Sequence, residues 1–134
     1  MAVNSYRELF VWQKSKDLIA ITFELSKLIR DYSFKDQLNR ASLSISNNIA
    51  EGFGRKSKRE FRRFLNIALG SAYEVESMLI IFKELKITPE ELSNKAISKI
   101  SPILPILPFL LFFQFFPSTG SGTTHSSYSS SLVY

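Results

Sequence analysis

Six cationic side chains crowd into nine residues of this chain: Arg55, Lys56, Lys58, Arg59, Arg62 and Arg63, offset in charge only by Glu60. Lys and Arg offer hydrogen-bond donors and no acceptor, so phosphate or carboxylate oxygens are the natural partners of such a cluster. The whole chain has 17 Lys+Arg against 12 Asp+Glu, a net charge of +5. This nonapeptide accounts for all of it, because the other 11 basic and 11 acidic residues cancel. The protein is a neutral body with one basic patch, not a diffusely basic chain. The six residues are therefore the candidate nucleic-acid-binding set, reading the backbone of RNA or DNA through phosphate contacts. An acidic protein surface would suit the same side chains, and a plain solvated helix face is the competing reading. No aromatic residue interleaves with them on the exposed side of the helix, so base stacking and sequence-specific readout are not expected.

A second group, Arg40, Asn48, Glu51 and Glu74 together with Asn47, is polar within otherwise apolar helical patterns. Partly buried polar groups need partners, which makes a structural hydrogen-bonded cluster between helices or subunits the favoured reading over a ligand site. Glu51 can also pair with Arg55 four residues on. Catalytic and metal-binding constellations are not visible. The single His, His125, stands in a stretch without carboxylates, there is no Cys, and the Glu-x-x-His spacing of di-iron bundles is missing. Gly52-Phe53-Gly54 links two helical patterns and does not follow a strand, so it is no phosphate loop. The expectation is a non-enzyme with no catalytic residues, no metal, no cofactor and no small-molecule substrate. Met1 to Ser5 lacks a basic segment followed by an apolar one, so no signal peptide is expected. With the missing Cys this points to the cytoplasm.

The basic cluster must be held by helices. Ser5-Tyr-Arg-Glu8 reads as a capping box opening a first helix to about Asp31, with Val11, Leu18 and Leu25 at heptad spacing and Trp12 on the same stripe. A second starts near Ser33 and buries Phe34, Leu38, Ala41, Ile45 and Ile49; Gly52 and Gly54 are its stop, through positive φ. Ser57-Lys-Arg-Glu60 opens a third, which runs to about Lys86 on Phe61, Phe64, Leu65, Ala68, Ala72, Val75, Leu79 and Phe82. At 100° per residue, Lys58, Arg59, Arg62 and Arg63 lie on the opposite side from that stripe. Gly70, inside this helix, is expected at a close helix contact. Thr88 caps a fourth helix with Pro89, Glu90 and Glu91 in its first turn, and Pro102 ends it after about three turns.

From residue 101 the composition changes: no Asp, Glu, Lys or Arg follows, and Ser101 to Pro117 reads SPILPILPFLLFFQFFP. The apolar run from Phe109 to Phe116 is too short for a bilayer, which needs about 20 residues. The expected organisation is a helical bundle domain over 1–100 and an irregular tail over 101–134, with membrane association disfavoured. The fold class is all-α, an up-down four-helix bundle with a shortened fourth helix.

Several segments, in order, resemble a known bacterial family: Leu9-Phe-Val-Trp-Gln-Lys14, Leu38-Asn-Arg-Ala-Ser-Leu-Ser-Ile45, Asn48-Ile-Ala-Glu-Gly-Phe-Gly-Arg55, then Phe61, Phe64-Leu65 and Ala68-Leu-Gly-Ser71 with Glu74. This is the four-helix-bundle family of proteins encoded in intervening sequences of 23S ribosomal RNA genes. The resemblance implies an up-down bundle that assembles as a homopentamer around a central pore, and it implies no catalytic activity. It also implies kinship in fold with the accessory protein of diversity-generating retroelements, a basic pentamer that works with a reverse transcriptase and nucleic acid. The family pattern has a longer fourth helix, whereas this sequence leaves it soon after Pro89. Two function classes follow. One is an oligomeric nucleic-acid-binding protein; the other is a protein-interaction or assembly module whose basic face meets an acidic protein.

Overall fold

In a computed structural model that describes residues 3–115, the chain is helical and no strand occurs among those residues. A 3-10 turn, Tyr6–Glu8, precedes α1 (Phe10–Ser26), α2 (Tyr32–Gly54), α3 (Lys58–Glu84), α4 (Glu90–Ile100) and α5 (Ile103–Phe115). Helices adjacent in sequence pack side by side, and α4 with α5 closes the ring between α3 and α1, while α1 and α3, like α2 and α4, sit across the diagonal. This is the up-down four-helix bundle, with α4 and α5 sharing the fourth position.

Local chemistry explains the starts. The Ser5 hydroxyl accepts from the Arg7 amide at 3.2 Å, yet Leu9 is extended (φ −71, ψ 123), so the expected long first helix divides into a short turn and α1. Burial of Leu9 is the reason: extending that residue puts its side chain in the core. α1 stops at Ser26 rather than Asp31, because Asp31 instead caps α2, its carboxylate accepting from the Phe34 amide at 3.0 Å. Ser57 caps α3 as expected, accepting from Glu60 N–H at 3.4 Å. At α4 the cap position belongs to Pro89, not Thr88, whose hydroxyl pairs instead with Ser93 Oγ at 2.8 Å.

The core is a single cluster. Val11, Leu18 and Leu25 of α1, Leu38, Ile45 and Ile49 of α2, and Leu65, Val75 and Leu79 of α3 are fully enclosed. Trp12 packs on its edge, half-buried, with Tyr6 edge-on at 5.2 Å. A Cβ added at Gly70 would meet no atom within 4 Å, so the close helix contact expected there is not made among the described residues.

The stretch after residue 101 departs from expectation. α4 does end at Ile100, but the segment that follows is not irregular: Ile103–Phe115 is a helix. Its Ile103, Ile106, Leu107 and Leu110 fall at i, i+3, i+4 and i+7 and are all buried, mainly against α3. Pro105 sits in the first turn, where amides have no intrahelical acceptor, so its missing N–H costs little. Only Pro108 lies where the helix would use that donor. The bundle domain therefore extends past residue 100, to the last described helix. Residues 116–134 of the expected tail lie outside the described residues. Lys58–Glu84 and Glu90–Phe112 are long and apolar enough to cross a bilayer by composition, and here both contribute their apolar faces to the bundle.

Candidate nucleic-acid interface

The turn between α2 and α3 sets the basic residues in place. Arg55 is still right-handed helical, Lys56 is left-handed with φ 54, and Ser57 is extended. The left-handed residue is thus a lysine rather than Gly52 or Gly54, at a cost of about 1–2 kcal/mol. Gly52 has another task. A Cβ there would lie 2.6 Å from Phe64 Cβ and 3.0 Å from Phe61 Cδ2, so only glycine lets the end of α2 rest against the start of α3.

All six basic residues are exposed, while Phe64 and Leu65 in the same turns are buried. The cluster therefore projects away from the core, as the 100° spacing requires. Among the described residues Arg55 pairs with Glu51 at 2.9 Å, as the sequence spacing suggests, and Arg63 with Glu60 at 3.7 Å. Exposed pairs of this kind are worth about 0–1 kcal/mol, so a phosphate can displace them. Lys56, Lys58 and Arg59 form no ion pair among the described residues. The guanidinium groups of Arg55 and Arg63 lie 5.4 and 5.8 Å from the Phe64 ring centroid, which restrains both near the helix junction. The amides opening α3 add partial positive charge beside the same residues.

Two aromatic residues missed in the sequence belong here. Phe53 and Phe61 meet edge to face, centroids 6.1 Å apart, in a pocket also lined by Lys56 and Lys58. In the sequence Phe61 reads as part of the apolar stripe and Phe53 as part of the link between two helices; the turn folds them together beside the lysines.

The second polar group does not assemble as one cluster. Arg40 pairs within its own helix, Nε to Asp36 Oδ2 at 2.7 Å, and Glu51 is taken by Arg55. Asn48 donates to the Ser44 carbonyl at 2.7 Å and to Ser44 Oγ at 3.0 Å; Ser44 Oγ meets Ser71 Oγ at 2.7 Å, which bridges α2 to α3. Glu74 accepts from Gln37 Nε2 across the same helix pair. Glu74 thus ties α2 to α3 directly and Asn48 only through Ser44, while Arg40 and Glu51 are satisfied locally. Among the described residues no three His, Asp or Glu side chains converge as a metal site, and His125 lies outside those residues.

With this geometry in hand, the family model described as 23S rRNA-intervening sequence protein matches residues 7–108. A crystal structure of a protein of unknown function from the S23 ribosomal protein family of Bacteroides thetaiotaomicron VPI-5482 superposes with a TM-score of 0.71 at 25% identity, covering 75% of this chain and 97% of that one. No curated protein matches.

Proposed function

Because this chain belongs to the 23S rRNA-intervening sequence protein family, whose members share this helical fold, we propose that it is a non-enzymatic, oligomeric bundle protein that binds the RNA or DNA backbone through the start of α3. One observation carries this reading: the entire net charge of an otherwise neutral chain stands exposed on a single turn and a half of helix and its preceding turn. Phosphates repeat along a nucleic acid as these side chains repeat along α3, and each contact releases condensed counterions. Repetition of the patch around a ring of subunits would make a continuous basic belt. The contacts read backbone, not sequence.

Binding of the full chain to labelled single-stranded and duplex oligonucleotides across a salt series tests the proposal. Six phosphate contacts predict a weakening of about 10³-fold between 50 and 200 mM salt. Charge reversal of Arg59, Arg62 and Arg63 together should abolish binding. A flat salt response with the reversed variant still bound would end the proposal. In a second reading the protein is an assembly module: the exposed apolar residues Ile67, Tyr73, Ile80 and Ile81 further along α3 favour a protein contact, and the basic face would meet an acidic partner. Light scattering coupled to size exclusion measures the assembly itself, and a monomer at micromolar concentration would remove the belt.

A further inference from the structure

The α2–α3 turn holds an open pocket of about 420 Å³ immediately beside the basic face, lined among others by Asn4, Phe53, Lys56, Lys58 and Phe61. That volume falls within the roughly 300–1,000 Å³ of small-ligand clefts. Its walls combine two chemistries. Phe53 and Phe61 are half-buried, and their planes meet at 88°. Perpendicular rings cannot both stack on one flat guest, so one ring supplies a stacking face while the other closes the end of the slot. Gly52 keeps that slot in shape, because a side chain there would displace Phe61. Lys56 and Lys58 line the same pocket, and the left-handed backbone at Lys56 fixes where its side chain starts. Asn4 adds a carboxamide, which can both donate to and accept from a planar hydrogen-bonding edge.

A flat π-system with a polar edge and an adjacent anion matches this combination, and a nucleotide has all three. In a duplex the bases are stacked and paired, and their faces are unavailable to a side pocket. In a single strand or a loop they can be splayed out onto aromatic residues. We propose that the pocket takes one unstacked base of single-stranded RNA or DNA while Lys56 and Lys58 hold its flanking phosphates, so that the protein prefers single-stranded or looped nucleic acid to duplex. This rests on the reading of the α3 face as phosphate-binding, and it gives that backbone reader a substrate class.

The test compares a single-stranded oligonucleotide, a duplex of equal length and free mononucleotides on the full-length protein. Phe53→Leu keeps an apolar side chain but removes the stacking face. It should weaken single-strand binding about tenfold, or about 1.4 kcal/mol, and leave duplex binding unchanged. Phe53→Trp should retain the affinity, and its indole fluorescence should be quenched by single strand and not by duplex once the Trp12 signal of the parent is subtracted. Should Phe53→Leu fail to fold, Asn4→Ala at an exposed position makes the same distinction, with about a threefold loss for single strand only. Equal affinity for both forms, with Phe53→Leu silent, overturns the pocket and leaves the basic face standing. Mononucleotide quenching of Phe53→Trp without binding of either polymer keeps the pocket and overturns the face. No binding of any of the three ligands overturns both.

Discussion

The start of α3 and the whole of α5 both depart from the mixed composition of an ordinary bundle helix, in opposite directions. Six of the nine residues from Arg55 to Arg63 are cationic, whereas residues 103–115 contain no charge at all. Both are helix, or turn directly into helix, and both pack on the same core. α3 has an N-cap, an acidic residue in its first turn and an apolar stripe, so its local signals and its burial agree. α5 has prolines at 105 and 108 and no charged face, and its helicity comes from what it covers. One region is free to carry charge because the core does not need its outer side. The other buries one face in the core and carries no ionisable side chain on the face it leaves outside.

If α5 is core, removing it should be the most damaging change available. Ending the chain after Ile100 deletes four buried aliphatic side chains, Ile103, Ile106, Leu107 and Leu110, and uncovers the α3 stripe they pack on. At about 1.5–3 kcal/mol for each buried side chain, the loss rivals the roughly 5–15 kcal/mol that holds a domain together. Circular dichroism and light scattering should find the 1–100 fragment unfolded or aggregated. A fragment with an unchanged melting temperature would show that α5 is an appendage after all.

The same contrast can be probed without truncation. Leu107 is fully enclosed, and Leu107→Ala should cost about 2–5 kcal/mol in denaturant unfolding. Next comes Gly52→Ala, where the new methyl would meet Phe64 Cβ at 2.6 Å, a group that cannot swing aside. Overpacking of this kind costs about 1–3 kcal/mol. Because Gly52 sits under the basic turn, this variant should also shift Phe61 and weaken single-strand binding. A neutral Gly52→Ala would mean that α2 and α3 separate easily at this end.

Legibility followed the same division. The three long helices, the Ser57 cap and the outward projection of Arg55 to Arg63 were readable because period and cap are local properties of the chain. The i, i+3, i+4, i+7 pattern of Ile103, Ile106, Leu107 and Leu110 was equally present in the sequence, but three prolines and the loss of charge argued against a helix. Burial against α3 decided otherwise, and a partner's surface is not a local property. The pairing of Phe53 with Phe61 was hidden for the same reason: eight residues apart, they meet only after the chain reverses at Lys56. The Asn48–Ser44–Ser71 bridge needed Ser71 as a partner 27 residues away from Ser44, whereas Arg40 and Glu51 found partners four residues away.

The smallest expected change in stability is also the most diagnostic, because its sign differs between folding and binding. Lys58 opens α3, is exposed, and forms no ion pair among the described residues. Lys58→Glu places a carboxylate against the positive end of the helix dipole, which stabilises by about 0.3–1 kcal/mol. It breaks no described contact, so the melting temperature should rise slightly. The same substitution changes the local charge by two units where phosphate oxygens would sit, and nucleic-acid affinity should fall along with the steepness of its salt dependence. A variant that is slightly more stable and binds less well fits a face maintained for a ligand. A variant that binds as before, at unchanged salt slope, would mean that α3 carries its charge as ordinary solvated surface, and the contrast with α5 would then be one of composition only.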